Sequence, residues 1–535
     1  MKKIDKRRFI YSMITGLVFA LFFVVGKQLN DDNVINFGII TAINIVIVTA
    51  ILSVVFYRIL IVKNKIKADN NYKITWLKIF IPLIIISIFF LIAIYPGNYG
   101  YDSPAQYHRF YVGKYGTHFP AIFCWLLGVF LTLGKNIFGN FEAGLFVLLL
   151  LQSIFINFVI AKIVTYVGNK IQNKKFTIIL VLYFLLHPLS QVLILSSCHD
   201  VPFGGFFALL VLEFLKMVEE DDYFSKKSNY LKVGTITILM CLFRNNGFFA
   251  LIPAVVVGLI VMKKKRVNLA IIMLVPMLLF QVWNQVFMNF ISVDNQSLVH
   301  ESLNVPIMQI ARALYYNHPQ TWSEELNTYF NVVCDWRRYG EHSGISDNFK
   351  SCLKDEYIES HLFEFIGYWA KLGIKAPHRY IEAPGALALG LYYPWKTYPE
   401  DAHHNADTYH PYVEFNVVDY SGHYDDIGVA PMHRYPVIPT LSDFLKSLTD
   451  GQEWSKIYGF RLIWCGAFST FLMLFSVFFA LYRKQKEYLL PISLIFGLIL
   501  TVFLAPVVLF RYLFPVVLTT PIMLYIILKC VSAKR

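Results

Sequence analysis

The chain has 535 residues, of which 56% are hydrophobic and only 16% are charged, and its mean hydropathy is +0.52. A soluble globular protein carries about 25% charged residues, and 22 Pro and 29 Gly are too few for a collagen-like or low-complexity chain. These proportions exclude the soluble, disordered and fibrous classes. They predict a protein that lies mostly in lipid, because each spanning helix needs about 20 apolar residues.

The formal net charge of the chain is +13. Such an excess of lysine and arginine is common in nucleic-acid-binding proteins, but in a membrane protein it is typical of cytoplasmic loops. We therefore interpret the basic residues as a signal for orientation, and we expect no nucleic-acid partner.

Taken in chain order, the apolar runs predict an α-helical polytopic protein of about twelve membrane segments, with both termini in the cytoplasm. The runs cover residues 9–25, 35–62, 79–94, 121–138, 142–166, 176–195, 203–217, 234–243, 248–262, 270–290, 457–482, 489–504 and 513–528. The first run follows a basic tail and is expected to be an uncleaved helix. The run 121–138 is expected to lie at the outer interface, since a full span there would put the basic stretch 170–175 outside.

The spacing of these runs divides the chain into three parts. Residues 1–291 are predicted to form a transmembrane module whose polar loop, residues 95–120, faces the exterior. Residues 292–456 contain no long apolar run and are predicted to form one extracytoplasmic, mostly α-helical domain. Residues 457–535 return to the membrane.

Two acidic residues fall at the outer ends of predicted spans, where polar residues are costly and usually functional. Asp102 lies in the segment Tyr-Gly-Tyr-Asp-Ser-Pro, so it is either a catalytic carboxylate or the N-cap of a short helix that carries Gln106. Asp200 has the same two interpretations, since a proline follows it two residues later. Sequence alone does not choose between them.

Histidine and arginine residues occupy the same side. His118 precedes Phe-Pro at a predicted helix entry, and His199 precedes Asp200; each is a ligand contact or an ordinary surface or capping residue. Arg244 and Asn245 interrupt two apolar runs, which indicates a break that faces protein or water. A guanidinium grips phosphate through two parallel hydrogen bonds. Arg511, beside Tyr512, offers a second such group unless it only extends to the lipid headgroups.

The sequence leaves the role of two further features of the predicted outer domain undecided. Residues 401–434 are rich in histidine and aspartate, which suits either a metal site or a polar loop, but no spacing matches a recognised metal pattern. No metal ligand is therefore assigned. Cys334 and Cys352 lie in a compartment that permits a disulfide.

Together these segments resemble the GT-C class of glycosyltransferases, which are multispanning enzymes that use polyprenyl-phosphate-linked sugars. The likeness rests on the acidic residue of the first large outer loop, the following His-Phe-Pro, the broken helix pair and the late Arg-Tyr-x-x-Pro. Residues 96–106, 244–247, 301–312 and 369–381 are also similar to a family of bacterial membrane proteins placed near that class.

The resemblance implies a GT-C-like fold and inverting transfer of a sugar from a polyprenyl phosphate to an extracytoplasmic glycan or cell-envelope acceptor. It implies that Asp102 is the general base and that Asp200 fills the second acidic position, because Tyr101 stands where some members have a paired carboxylate. The missing pair favours a monophosphate donor and no required cofactor, although a divalent metal stays compatible. The residues expected to bind substrate are Arg244, Arg511, Tyr512, His118, His199, Gln106 and Asn245.

Two other function classes remain as alternatives. A secondary transporter also uses broken helices and intramembrane charge, but it predicts an inverted repeat and a site at the membrane midplane. No such repeat is visible, and the charges gather at one face. A non-catalytic factor for assembly or export of an envelope polymer would keep the outer domain and would not need Asp102.

Overall fold

The computed structural model describes residues 5–60, 66–100, 102–116, 118–290, 293–294, 302–317, 327–331, 345–350, 352–396, 415, 430–450 and 453–532. Nearly all of this part of the chain is helical. The helices are α1 (Lys6–Asp31), α2 (Ile39–Ile59), α3 (Trp76–Ala93), α4 (Ser103–Val112), α5 (Ala121–Phe138), α6 (Phe141–Ile171), α7 (Lys174–Leu185), α8 (Pro188–Ile194), α9 (Asp200–Glu219), α10 (Lys227–Phe243), α11 (Asn246–Val261), α12 (Arg266–Phe290), α13 (Asn304–Asn317), α14 (Asp347–Lys350), α15 (Asp355–Ser360), α16 (Leu362–Lys375), α17 (Pro377–Leu387), α18 (Leu389–Tyr392), α19 (Pro439–Thr449), α20 (Phe460–Trp464), α21 (Gly466–Tyr482), α22 (Leu489–Phe503), α23 (Phe510–Leu518) and α24 (Thr520–Ser532).

The chain is a polytopic membrane protein. Within the described ranges, eight helices are long and apolar enough to cross a membrane. Two predicted single spans are instead bent: α7 meets α8 at 62°, and α23 meets α24 at 47°. The count rises to ten if each bent pair is one span. The predicted run 457–482 is likewise divided, into α20 and α21.

Helix α9 lies at the centre of the main core. It packs against α6, α10, α22 and α23, and most of its side chains are buried. Small residues allow α9 to pack closely against its neighbours, because a Cβ on Gly205 would lie 2.4 Å from the ring of Phe155 on α6. The first residue of α9 and the outer ends of its neighbours are therefore held close together.

The predicted outer domain has two kinds of packing. Helices α13 and α16, with Phe349 and Phe330, enclose a second small core that is separate from the main one. Further along, Leu445, Leu448 and Trp454 pack into the main core. The stretch 292–456 is therefore only partly built on a core of its own.

Helix α16 also exposes an apolar face, which a water-facing helix would not favour. Phe363 is 90% exposed and Ile374 is 83% exposed, while Phe365 and Tyr368 on the other face are buried. An amphipathic helix of this kind is typical of a membrane interface.

A buried ion-pair cluster attaches α13 and α17 to the loop between α1 and α2. Arg312 and Glu382 are both fully buried, with 3.4 Å between Arg312 Nε and Glu382 Oε2. Arg379 donates to the same carboxylate at 2.8 Å. Glu382 Oε1 in turn accepts from the backbone N–H of Ile35 at 2.8 Å, and Arg312 donates to the carbonyl of Asn33. The carboxylate therefore joins three separate segments of the chain.

We predict that Glu382→Gln lowers the stability of the full-length protein by about 3–5 kcal/mol, because it leaves the Arg312 guanidinium buried without its counter-charge. Thermal unfolding of the purified protein in detergent measures the effect as a lower Tm. The matched control is Glu453→Gln, which breaks the solvent-exposed pair with Lys456 and should leave Tm unchanged. Equal Tm values for the wild type and Glu382→Gln would contradict the prediction.

Candidate functional site

The predicted outer loop is joined to the turn before α9 by backbone and side-chain hydrogen bonds. Asn98 and Ser196 form a parallel bridge, and Asn98 Nδ2 donates to Ser196 Oγ at 3.1 Å. Ser103 Oγ lies 2.8 Å from Ser197 Oγ. These contacts set the start of α4 beside the start of α9, so Asp102 and Asp200 face the same space.

Close approach of these two segments requires glycine at position 97. Gly97 has φ of +111°, a region that side-chain-bearing residues rarely adopt. A Cβ there would lie 2.3 Å from Leu149 Cδ1 and 3.1 Å from the carbonyl oxygen of Leu195. The loop can therefore lie against α6 and the end of α8 only with this residue.

Four charged side chains meet at this point in an alternating chain. Arg511 Nη1 donates to Asp102 Oδ2 at 2.7 Å, and Arg511 Nε lies 3.7 Å from Asp200 Oδ2. Arg244 Nη1 donates to Asp200 Oδ1. Asp200 is fully buried, whereas the side chain of Asp102 is 27% exposed. We call Asp102, Arg511, Asp200 and Arg244 the charged cluster. Its accessible atoms are those of Asp102 and of the edges of the two guanidiniums.

Tyr512 orients both arginines. Its ring lies 4.5 Å from the guanidinium carbon of Arg244 and 4.9 Å from that of Arg511. Arg511 Nη2 also donates to the Tyr512 hydroxyl at 3.1 Å. Cation–π contacts in a water-poor site are worth about 2 kcal/mol, so the ring helps to hold two like charges near each other.

His199 lies beside Asp200 of the charged cluster, and Gln106 contacts His199. Gln106 Nε2 lies 2.9 Å from His199 Nδ1, and His199 Nε2 lies 3.8 Å from Asp200 Oδ1. Burial lowers the pKa of His199 to about 3, so the ring is neutral at physiological pH. The Oε1 atom of Gln106 is buried and has no hydrogen-bond partner among the described residues.

The pKa of Asp102 reflects a balance between two opposing effects. Burial by itself would raise the pKa of this carboxyl, but the charge of Arg511 outweighs burial and lowers the pKa to about 2. Asp102 is therefore ionised and paired in this state of the protein.

The charged cluster fits an anion better than a metal ion. Cys198, His199 and Asp200 bring potential ligand atoms within 4.8 Å of one another. Two guanidiniums already contact Asp200, however, and they would repel a dication. The same guanidinium edges attract phosphate.

A mostly apolar cavity of about 380 Å³ begins beside the cluster. Asn245, the residue after Arg244, lines it together with Phe119 and Pro120 at the start of α5. Trp283 and Phe287 of α12 form its far wall. The cavity therefore lies between the residue next to the Arg244 guanidinium and apolar side chains of α5, α10 and α12.

The structure thus brings together most of the residues predicted to form the site. Asp102, Asp200, Arg244 and Arg511 form the charged cluster, and Tyr512, His199 and Gln106 lie around it. Asn245 lines the neighbouring cavity. His118 is exposed at the edge, although its charge still acts on the pKa of Asp102. The catalytic and binding roles of these residues stay predictions.

Sequence reasoning missed Arg434. Its Nη2 donates to Asn98 Oδ1 at 2.5 Å and to the carbonyl of Gly97 at 3.4 Å, which fixes the loop that carries Asp102. The backbone N–H of His433 donates to Glu142 Oε1 at 3.0 Å. No local signal could have found these contacts, because Arg434 and Asn98 are 336 residues apart.

Two other predictions fall mainly outside the described residues. Of the histidines and aspartates in residues 401–434, only His433 is described, so a metal site there stays a prediction. Cys352 is disulfide-bonded, whereas Cys334 lies outside the described residues.

We predict that the pair of Asp102 with Arg511 is stable down to acid pH. Because the folded-state pKa is lower than that of a free aspartate, the pair contributes stability above about pH 4 and loses it as the pH falls towards 2. Infrared titration of the wild type minus Asp102→Asn should show this carboxylate gaining its proton only below about pH 3. Protonation near pH 4 or above would contradict the ion pair.

Comparison with models of protein families gives a match over most of the chain. A model described as a family of unknown function (DUF6020) matches residues 115–535. No curated protein and no solved structure gives a significant match. Asp200, Arg244 and Arg511 lie inside the matched region, while Asp102 precedes it.

Proposed function

The chain belongs to the DUF6020 family, and we propose that this member is a membrane glycosyltransferase. It moves a sugar from a polyprenyl monophosphate to a glycan or other cell-envelope acceptor. The observation that carries the proposal is the meeting of one partly exposed carboxylate, Asp102, with two guanidiniums, those of Arg511 and Arg244, through Asp200. Such a site can bind an anionic leaving group and accept a proton within the same small space.

The phosphate of the donor binds to the exposed edges of Arg244 and Arg511. The two side chains are 12% and 10% exposed, so they are nearly free of competing water and remain reachable. A guanidinium that is already oriented stabilises negative charge as it develops on the leaving phosphate. Because a monophosphate leaves without protonation, one correctly placed carboxylate is enough for the reaction.

The lipid chain of the donor enters the apolar cavity beside Asn245. Its lining by Trp125, Trp283 and Phe287 suits an isoprenoid better than a polar ligand. The cavity begins one residue from Arg244, so a phosphate on the guanidinium and its first isoprene units can be bound together. This neighbourhood favours a lipid-linked donor over a soluble nucleotide sugar.

Donor binding prepares Asp102 for its role as general base. A carboxylate with a pKa of about 2 is a weak base, since proton transfer is most efficient when the pKa lies near the working pH. An incoming phosphate shares the charge of Arg511, and the pKa of Asp102 then rises towards its ordinary value. The acceptor hydroxyl attacks the anomeric carbon, its proton passes to Asp102, and the sugar–phosphate bond breaks with its electrons on the phosphate.

Asp200 acts in this scheme as a positioning residue. Its side chain is fully buried and contacts both arginines, so it holds the two guanidiniums without touching substrate. The same contacts argue for a reaction without a divalent metal, because the arginines supply the positive charge.

We infer the orientation of the protein in the membrane from the positions of its lysines. Helix α9 begins at the charged cluster and ends near the basic groups Lys170, Lys529 and Lys216. The positive-inside rule favours a cytoplasmic location for those lysines and an extracytoplasmic one for the cluster. The short apolar helices α11 and α21 would raise the number of spans to twelve, in a GT-C-like arrangement. This count includes α5, which was expected to lie at the interface, and leaves out α10, which carries the predicted run 234–243.

We predict that Asp102→Asn lowers sugar transfer by about 10²–10⁴-fold, because the acceptor proton loses its base. The assay measures polyprenyl monophosphate released from a panel of polyprenyl-phosphate-linked hexoses and pentoses, with envelope glycan as acceptor. Asp443→Asn is the matched control: this aspartate is exposed on α19, away from the cluster, and its loss should leave transfer unchanged.

Two outcomes would overturn this assignment. Equal release by the wild type and Asp102→Asn would remove Asp102 as the base. Absence of release from every donor in the wild type would favour the non-catalytic assembly factor. Gel filtration of the variant verifies its fold, and asparagine can still accept the hydrogen bond from Arg511.

We also predict that Arg244→Lys weakens binding of farnesyl monophosphate by about 10–100-fold, the range expected for a lost charge-assisted hydrogen bond. Lysine keeps the charge but not the planar fork. Calorimetry with the purified protein measures the change, and farnesol, which lacks the phosphate, should bind both proteins equally. Arg266→Lys, an exposed arginine at the lysine-rich end of the bundle, serves as the control. Unchanged affinity in Arg244→Lys would exclude a bidentate contact between this guanidinium and the phosphate.

A further inference from the structure

A second polar site lies further along α9. Glu213 is thirteen residues after Asp200, which places it about 20 Å from the charged cluster at 1.5 Å per residue. A cavity of about 700 Å³ opens beside it between α6, α9 and α10. We call this the lysine cavity, because Lys162, Lys170, Lys216 and Lys232 all line it.

The charges around the lysine cavity do not balance. Glu213 is its single acidic lining residue, and it is paired with Lys216 at 2.7 Å and Lys232 at 2.6 Å. It also accepts from the Tyr223 hydroxyl at 2.7 Å. Lys170 lies 3.8 Å from Glu219, at the end of α9. The four ammonium groups of the lining therefore outnumber the two carboxylates that pair with them, Glu213 and Glu219, and the cavity attracts an anion.

Lys162 is the most informative of the four lysines. It lies more than two turns inside α6, which is a candidate span, and its side chain is half-buried. Its ammonium lies 5.1 Å from the rings of both Trp76 and Phe158. Among the described residues it makes no ion pair. An ammonium at this depth is costly without an anionic partner, which indicates a ligand.

The remaining lining shows what kind of anion fits. Phe158 on α6, Leu209 and Leu212 on α9, and Ile236 on α10 form the apolar part of the wall. A cavity with ammonium groups on one side and apolar side chains on the other matches an amphiphile. A small inorganic anion would contact only the ammonium groups.

We propose that the lysine cavity binds the headgroup of an anionic phospholipid from the surrounding bilayer, with an acyl chain along Phe158 and Ile236. Basic pockets between spanning helices bind such headgroups through direct contacts with the phosphate. The phosphate lies among Lys162, Lys170 and Lys216. This site is independent of the sugar-transfer site, and a negative result in either experiment leaves the other proposal intact.

The test titrates the full-length protein in neutral detergent with dioleoyl phosphatidylglycerol and follows Tm. We expect Tm to rise with phosphatidylglycerol and not with phosphatidylcholine, because a ligand that binds only the folded state stabilises it. In Lys162→Gln the apparent affinity should fall about fivefold, the effect of one lysine at an anionic surface. Lys162→Arg, which keeps the charge, should retain the affinity.

The control variant is Lys263→Gln, which removes an exposed lysine outside the cavity and should leave the affinity unchanged. Native mass spectrometry of the wild type in an equal mixture of the two lipids should retain phosphatidylglycerol selectively, whether or not the variants fold. Equal retention of both lipids, or equal affinity of Lys162→Gln and Lys263→Gln, would overturn the proposal. Equal stabilisation by glycerol phosphate would show that a free phosphate, and not a lipid, is the ligand.

Discussion

The arrangement of the outer site depends on one buried carboxylate between two guanidiniums. Asp200 has no exposed surface, yet it contacts both Arg244 and Arg511. Two guanidiniums at this distance would repel each other, and an unpaired buried charge costs about 3–5 kcal/mol. The carboxylate removes that repulsion and brings α9, the junction between α10 and α11, and α23 to one point. Arg511 then has an N–H group left to donate to Asp102. The position of the partly exposed Asp102 therefore depends on the buried Asp200.

Helix α9 connects the two polar regions of the molecule. At its first residue Asp200 organises two arginines, and further along Glu213 organises two lysines. In both places an acidic residue with almost no exposure holds cations that are themselves partly accessible. An anionic ligand can then bind the cations without displacing the carboxylate. The same local chemistry therefore serves a proposed substrate phosphate at one end and a proposed lipid phosphate at the other.

Broken helices give the outer site its polar groups. The bends between α7 and α8 and between α23 and α24, with the interruption at Arg244, leave helix ends inside the bundle. Free backbone groups there need partners, because lipid offers none. Side chains meet part of that need: His187 Nδ1 accepts from the backbone N–H of Ser190 at 3.2 Å at the start of α8. Helix ends inside the bundle can therefore carry charged residues that a continuous apolar helix would exclude.

The sequence by itself determined the membrane class, the helical fold, the break at Arg244 and the list of polar residues at the outer ends, because hydropathy and helix interruption are local properties. It could not determine which of those residues pair. Asp102 and Arg511 are 409 residues apart, so their contact depends on how α4 and α23 pack around α9. Nor could the sequence show that Asp102 is partly exposed and that Asp200 is buried, since each stands shortly before a proline at the start of a helix. The lysine cavity was hidden for the same reason: its lysines looked like ordinary topology signals until three helices placed them around one space.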